Sequence, residues 1–212
     1  MDTGERAYEK IINYVEQQVM QGRYKKGDKL PPERELAALL GASRNSVREG
    51  LGILERMGAI SSQQGAGNFI SDNFEKTLVE VMTLMFILEE GTFREISEFR
   101  YALETQALAL AMEHISKKQL ADIEYYMSML EKTPEEDMKA YYDKKIHYTI
   151  TAASGNRFII DNLQALTAVM DVFIKDMRAK ILSDGSNSEG LMAAHREMVE
   201  ALREKNMEKG MQ

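Results

Sequence analysis

The sequence predicts a mainly α-helical protein in two parts: a small helical module that ends in a β-hairpin, and an all-helical bundle. Three observations support this fold class. Residues 31–56, PPERELAALLGASRNSVREGLGILER, hold two short helical patterns separated by Gly41. A glycine-containing run at 64–67 lies between two short apolar runs. From residue 73 onward the apolar periodicity is entirely helical. The predicted domains are therefore 1–72 and 73–212.

The first part is predicted to contain three helices. One covers about 5–21, where apolar residues recur at helical spacing. The next starts at Pro31–Pro32, because the first-turn N–H groups of a helix have no intrahelical partner and proline costs nothing there. The third covers about 44–57 and is stopped by Gly58. Two short helices joined by a tight glycine-containing turn make a helix-turn-helix.

The segment after Gly58 predicts a β-hairpin. Short runs around Ile60 and around Phe69–Ile70 flank the turn sequence Gln64-Gly65-Ala66-Gly67. A hairpin that follows a helix-turn-helix makes a winged helix-turn-helix. Gln64 and Gly65 are then expected to contact DNA, because a wing lies beside the minor groove; the alternative is a surface turn without contacts.

The second part is predicted to be an all-α antiparallel helical bundle. Ser116-Lys117-Lys118-Gln119 matches a capping box, and Pro134 suits a first helical turn. Gly155-Asn156 and Gly185 are breaks. The predicted helices are near 74–89, 92–114, 116–131, 134–153, 156–182 and 187–206, with a further helix begun at the end.

Composition narrows the class of protein. No apolar run approaches the ~20 residues needed to span a bilayer, and the N-terminal sequence lacks the apolar stretch of a secretory signal. The absence of cysteine excludes disulfides and is compatible with a cytoplasmic location. The net charge is −7, yet residues 23–56 carry eight Lys and Arg against five Asp and Glu. A locally basic module on an acidic body suits site-specific DNA binding, because it limits indiscriminate attraction to phosphates.

The start of the third helix carries side chains suited to reading DNA. Arg44, Asn45, Ser46 and Arg48 lie on its first turns, where a helix-turn-helix reaches base edges in the major groove. Arginine matches the O6 and N7 acceptors of guanine with its planar fork. Ser43 has a competing role as the N-cap of this helix. The pattern therefore predicts binding to double-stranded DNA.

The chain resembles the GntR transcriptional regulators of the FadR type. The run PPERELAALLGASRNSVREGLGILERMGAI, followed by QQGAGNFI, is similar to their winged-helix domain. EFRYALETQALALA, DKKIHYTITAASGN and HREMVEALREKN are similar to their helical C-terminal (FCD) domain. The resemblance implies a homodimer that binds a palindromic operator, with Arg34, Arg44 and Arg48 as DNA contacts.

Asp143 and His147 share one helical face and form a half-site for a divalent cation. The resemblance places them, with His195, in the metal site of the helical domain. These ligands suit Zn first, with Ni, Mn or Fe also compatible. A structural Asp–His hydrogen bond is the alternative. Many family members supply a further His after this point, and its absence here suggests a missing C-terminal tail or a site with three protein ligands.

Arg100 matches an arginine that the family directs toward its cavity, where the carboxylate of a small organic-acid effector would pair with it. A salt bridge within the bundle, to Asp143 or a Glu, is the alternative. Asn156 could line the cavity, but a helix cap is favoured. His114, at a predicted helix end, is interpreted as structural or solvated.

Together with the resemblance, these residues predict a transcriptional regulator of a metabolic operon, controlled by a carboxylate bound at the metal site. The resemblance implies a repressor, because repression is the commoner outcome in the family. A constitutive DNA-binding dimer is the alternative. A metalloenzyme is not favoured, because the sequence has no HExxH pattern, no nucleophile motif and no general base beside the ligands.

Overall fold

A computed structural model describes residues 6–72, 74–181 and 188–206, with all side chains except those of 93, 172–181 and 188–191. The chain divides into two compact units, Met1–Glu80 and Val81–Gln212. The predicted fold class, a winged helix-turn-helix followed by a helical domain, is confirmed. The domain boundary after residue 72 remains a prediction.

The first unit contains three helices and an antiparallel hairpin. Its elements are α1 (Ala7–Met20), α2 (Glu33–Leu40), α3 (Arg44–Arg56), β1 (Ile60–Gln63) and β2 (Gly67–Ile70). Gly41, with φ +59°, makes the tight turn between α2 and α3. The hairpin pairs Ile60 with Ile70 and Gln63 with Gly67. The segment before α2 lies along β2, since the Leu30 amide donates to the carbonyl of Asn68 at 2.8 Å.

The core of the first unit lies where α1 crosses α3. Gly50 permits the close approach, because a Cβ there would lie 2.8 Å from Cβ of Ile11. Apolar side chains from α1, the segment before α2, α2, α3 and both strands fill the rest of this core, which comprises Ile11, Val15, Leu30, Leu36, Val47, Leu51, Leu54, Ile60 and Ile70. This packing holds α3 against α1 and leaves the N-terminal turns of α3 exposed.

The second unit is a helical bundle. Its helices are α4 (Glu75–Leu88, which begins in the first unit), α5 (Phe93–His114), α6 (Lys117–Lys132), α7 (Glu136–Ala153), α8 (Arg157–Ile181) and α9 (Ser188–Glu204). One apolar cluster joins α5, α6, α7 and α9, and a second joins α5 to α8. The predicted capping box is confirmed, because Ser116 Oγ accepts from the Gln119 amide and Gln119 accepts from Ser116. None of the helices described is long and apolar enough to cross a membrane.

The two helix starts predicted at prolines were wrong by up to two residues, and the first helix, predicted from about residue 5, begins at Ala7. The second helix begins at Glu33, with Pro32 as its N-cap in an extended conformation. Pro31 cannot begin the helix because a residue followed by proline disfavours the helical region. The helix predicted from Pro134 begins at Glu136, because its N-cap Glu135 is extended. The predicted break at Gly185 and the further C-terminal helix lie outside the described residues.

Candidate functional site

The N-terminal turns of α3 present polar side chains to solvent. Ser43 caps the helix as predicted, with its Oγ accepting from the amide of Ser46 at 3.1 Å. Its hydroxyl also lies 2.9 Å from that of Ser46. Arg44 and Asn45 are exposed, and Ser46 is half-buried. The arrangement places short polar groups and a guanidinium on the surface that the sequence assigned to DNA.

Arg48 lies one turn further along α3 and is also exposed. Its Nε donates to Oε2 of Glu33, the first residue of α2, at 2.7 Å. No local sequence spacing predicts this pair, which joins the two helices of the helix-turn-helix. Arg34, the neighbour of Glu33, is exposed on α2. All three predicted arginine contacts therefore lie on the surface of the first unit.

The hairpin turn carries the remaining predicted DNA contacts. Gln64 and Gly65 are exposed at its tip. Gly65 has φ +76°, a left-handed conformation that strains other residues. At the base of the hairpin, Nζ of Lys29 lies 5.8 Å from the ring centroid of Phe69. The turn therefore exposes backbone and amide groups at the end of a paired ribbon.

The three predicted metal ligands come together in the second unit. Asp143 and His147 lie one turn apart on α7, and His195 reaches them from α9. Nε2 of His195 lies 2.7 Å from Oδ1 of Asp143 and 3.3 Å from Nε2 of His147. Nε2 of His147 lies 3.9 Å from the same carboxylate oxygen. His195 is only 4% exposed. The cluster is therefore compact and closed on the α9 side.

Glu104 on α5 is a member of this cluster that the sequence analysis missed. Its Oε1 lies 3.2 Å from Nδ1 of His147 and accepts from Nε of Arg100 at 2.8 Å. The Arg100–Glu104 spacing of one helical turn was visible in the sequence, but their proximity to His147 depends on how α5 packs against α7. The salt bridge considered for Arg100 is thus made with Glu104. Nη1 of Arg100 lies 3.9 Å from the sulfur of Met170.

Both carboxylates of the cluster favour their charged forms. Burial raises the pKa of Asp143, but the hydrogen bond with His195 and the charges of His147, His195 and Arg100 outweigh it, so the pKa is lowered from 3.8. Burial also raises the pKa of Glu104, but the hydrogen bonds and charges of His147 and Arg100 outweigh burial, so the pKa is lowered from 4.5. Ionised carboxylates are the form that binds a cation or an imidazole N–H.

Two cavities open onto the cluster. One, of about 110 Å³, lies among α5, α7 and α8, and the other, of about 290 Å³, lies between α5 and the two histidines. Arg100 and Glu104 line both. The wall of the smaller cavity also contains side chains that can bind a polar ligand, namely Lys144, Tyr148, Thr151 and Thr167. Lys144 is paired with Asp171 at 2.6 Å.

Two other polar residues of the second unit lie outside the cluster. Asn156 caps α8, with Oδ1 accepting from the amides of Phe158 and Ile159 at 3.1 and 3.3 Å. This is the cap that the sequence favoured, and Asn156 is not among the residues that line either cavity. His114 is exposed in the last turn of α5, as expected for a structural or solvated residue.

Family comparisons agree with this division of the chain. A model described as "Bacterial regulatory proteins, gntR family" matches residues 7–70, and an FCD domain model matches residues 95–212. The first match covers the helix-turn-helix and hairpin. The second covers α5 to α9 for the most part, including Asp143, His147 and His195.

Similar proteins are regulators. A candidate regulatory protein of the L-lactate dehydrogenase operon from Escherichia coli K12 is 29% identical over 182 residues, which cover 83% of this chain and 69% of that protein. The HTH-type transcriptional repressor YtrA of Bacillus subtilis 168 is 44% identical over 95 residues, 45% of this chain and 72% of that protein. The Uxu operon transcriptional regulator of Escherichia coli K12 is 26% identical over 154 residues, covering 62% and 60%.

Solved structures show the same fold. A GntR protein of Streptococcus agalactiae superposes with a TM-score of 0.67 at 23% identity, covering 96% of this chain and 93% of that one. The prediction that the chain is not an enzyme is confirmed, because the matching domains and relatives are those of transcriptional regulators. The chain belongs to the GntR family of bacterial DNA-binding transcriptional regulators and carries an FCD domain.

Proposed function

We propose that this chain represses a metabolic operon and is controlled by a small carboxylate bound beside a divalent metal ion in the helical unit. One observation carries the proposal: Asp143, His147 and His195 converge at the edge of a cavity that Arg100 also lines. A cation site and a guanidinium facing one small space suit an anionic ligand.

The donor set fits a metal ion in both chemistry and spacing. Zinc bonds to nitrogen and oxygen at about 2.0–2.2 Å, so the ligand atoms of a tetrahedral site lie roughly 3.3 Å apart. The three separations here are 2.7, 3.3 and 3.9 Å. Asp143, His147 and His195 would hold the ion, with zinc favoured and Ni, Mn or Fe also suited to two imidazoles and a carboxylate. The ion would supply a positive charge and an open position for an effector oxygen.

Glu104 supports this assignment through the second ring nitrogen of His147. A metal-ligating histidine normally donates its other N–H to a carboxylate or carbonyl, which fixes the tautomer and orients the ring. Nδ1 of His147 faces Glu104 at 3.2 Å, while Nε2 faces His195 and Asp143. The imidazole is thus oriented as a metal ligand would be.

The effector is proposed to be a small organic acid. The two cavities beside the cluster, of about 110 and 290 Å³, offer space for a small ligand that reaches both the metal site and Arg100. The cationic groups of the smaller cavity, Arg100 and Lys144, would pair with carboxylates, and the Thr151 and Thr167 hydroxyls lie in its wall. One relative is named for the operon of a metabolic enzyme, L-lactate dehydrogenase. This name favours an acid from carbon metabolism. The proposed role of Asn156 in binding the effector has only its position after α7 in support.

The DNA-binding surface is proposed to consist of exposed groups of the first unit. Arg48 would contact guanine, and Arg34 and Arg44 would contact bases or phosphates. Gln64 and Gly65 would approach the minor groove from the hairpin. The other proposed contacts are Ser43, Asn45 and Ser46 at the start of α3. A protein with these contacts would act on chromosomal DNA in the cytoplasm.

A homodimer on a palindromic operator completes the proposal. GntR regulators are typically dimers, and a two-fold protein reads two half-sites at a separation set by its own geometry. The α4 helix has no buried residue, and Val81, Leu84, Met85, Ile87 and Leu88 are each more than half exposed. Such an apolar face suits burial against a second copy. Light scattering of the purified chain and of Leu84→Glu tests this part, since the variant should become monomeric.

Control would act through differential affinity. An acid that prefers one arrangement of the bundle would shift the dimer toward that arrangement and change the spacing of the two winged helices. An acid with equal affinity for both arrangements would have no effect. Repression would then be relieved or enforced according to which arrangement fits the operator.

A constitutive DNA-binding dimer is the second candidate, and one observation favours it. The 2.7 Å contact between Asp143 and His195 is a satisfactory hydrogen bond without any metal. Among the described residues, no buried side-chain nitrogen or oxygen lacks a partner. In this alternative the cluster only stabilises the bundle.

Metal analysis combined with thermal melting distinguishes the two. The full chain is purified, its metal content is measured by plasma mass spectrometry, and its melting temperature is recorded with zinc or chelator against a panel of small carboxylates that includes L-lactate. We expect near-stoichiometric metal and an acid that stabilises only the metal-loaded chain. His147→Ala should lose both effects and His114→Ala should keep them. Metal-free protein without any response to the acids would support the constitutive dimer.

A further inference from the structure

Glu33 and Arg48 form an ion pair across the helix-turn-helix. The Oε2–Nε distance is 2.7 Å, and the side chains remain 36% and 65% exposed. Glu33 is the first residue of α2, and Arg48 lies on the face of α3 assigned to DNA. Exposed ion pairs contribute little to folding stability. The pair therefore matters mainly for how the guanidinium of Arg48 is held.

The pair uses only part of the donor set of Arg48. A guanidinium has five N–H donors in a rigid fork. Glu33 takes the Nε donor, and the structure gives Nη1 and Nη2 no partner among the described residues. Those two nitrogens form the outer edge of the fork, which matches the O6 and N7 acceptors of guanine. Glu33 thus leaves free the edge that base recognition requires.

We propose that Glu33 is a specificity-determining residue that positions Arg48 for guanine. The inference rests on the proposed base contact of Arg48. A guanidinium already held by Glu33 loses less side-chain freedom when it meets a base. The carboxylate also weakens the attraction of Arg48 to phosphates, which supply most non-specific affinity. Specificity is the difference between the affinity for the guanine-containing site and the non-specific affinity, and Glu33 widens this difference because it favours the first and weakens the second.

Glu35 provides a matched control on the same helix. It also lies in the first turn of α2 and is exposed. Among the described residues it forms no ion pair that resembles the one between Glu33 and Arg48. Replacing either glutamate with glutamine removes one negative charge from the same helix end. Any difference between Glu33→Gln and Glu35→Gln therefore reports the contact with Arg48 and not net charge or the helix dipole.

The experiment selects binding sites from a randomised double-stranded DNA library with the full chain. Affinities for the selected duplex, for its single-base variants and for a scrambled duplex are then measured by fluorescence anisotropy. We expect Glu33→Gln to reduce the preference for one guanine by roughly three- to tenfold, with tighter binding to the scrambled duplex. Glu35→Gln should retain the wild-type preference. Circular dichroism confirms that each variant is folded.

The double variant Glu33→Gln, Arg48→Ala identifies the route of the effect. If Glu33 acts by holding Arg48, Glu33→Gln has no further effect on base preference once Arg48 is removed. An equal loss of preference in both backgrounds would overturn the proposal, as would identical behaviour of Glu33→Gln and Glu35→Gln. In either case a selected motif that depends on Arg48 would leave the proposed function intact. Failure of the wild-type chain to select any motif would overturn both.

Discussion

Oε1 of Glu104 lies 3.2 Å from Nδ1 of His147 and also accepts a hydrogen bond from Nε of Arg100. One carboxylate oxygen therefore contacts both a candidate metal ligand and the candidate partner of an effector carboxylate. An anion that draws Arg100 away from Glu104 would change the hydrogen bonding of His147. This contact offers a direct physical route by which an acid and a metal ion could affect each other's affinity.

Replacing Glu104 with glutamine should weaken metal binding. The variant keeps the shape of the side chain but loses the charge that favours the Nδ1–H tautomer of His147. We expect zinc affinity, measured by competition with a chromogenic chelator, to fall about 10- to 100-fold. Glu98→Gln on the same helix removes a similar charge from an exposed pair with Arg94 and should leave zinc affinity unchanged. Equal effects of the two substitutions would show that Glu104 has no specific role.

Acid should destabilise the metal-free protein through Asp143 and Glu104. The pKa values of both carboxyls are lowered in the folded state, from 3.8 and 4.5. Groups with lowered pKa values stabilise the fold fully above those ordinary values, and the stabilisation is lost as the pH falls through the folded pKa. Asp143→Asn should therefore show a shallower fall in melting temperature than the wild type between about pH 5 and pH 3. The measurement is made with chelator present, and equal slopes would contradict the expected ionisation.

Two glycines of α3 should respond oppositely to alanine. A Cβ at Gly50 would lie 2.8 Å from Cβ of Ile11 and 2.9 Å from the carbonyl oxygen of Tyr8. Gly50→Ala should push α1 from α3 and destabilise the first unit by about 1–3 kcal/mol. A Cβ at Gly52 would meet nothing within 4 Å, so Gly52→Ala should be neutral or stabilise by up to about 1 kcal/mol. Urea unfolding monitored by circular dichroism checks both values.

Destabilisation by Gly52→Ala as large as that by Gly50→Ala would contradict this explanation. It would mean that the α3 backbone, and not the contact with α1, requires glycine at both positions. The comparison is informative because both residues lie within one helix and neither has a positive φ.

Much of the fold could be predicted from the sequence because its helices are strongly periodic and end at recognisable residues. Gly41 and Gly58 bound α2 and α3 as expected, and Ser43 caps α3. The helix starts predicted at Pro31–Pro32 and Pro134 were wrong. Proline indicates that a helix starts nearby, but the first helical residue is the one that follows the extended N-cap.

The candidate sites could be predicted only in part. Asp143 and His147 are one helical turn apart, so periodicity alone places them on one face. His195 lies on another helix and was assigned by family resemblance. Glu104 and Glu33 were missed because each meets its partner through tertiary packing, which no local spacing reports. The sequence identified the groups that carry chemistry more readily than the carboxylates that orient them.

If metal and acid together control DNA binding, an acid must change the affinity of the chain for DNA only when the metal is bound. The affinity of the full chain for its selected duplex is determined by anisotropy with zinc or chelator, and with or without the acid found by melting. We predict that the acid changes the dissociation constant by at least about fivefold only with zinc, in the wild type and in His114→Ala but not in His147→Ala. An affinity that no acid changes, or an equal change in His147→Ala, would contradict joint control by metal and acid.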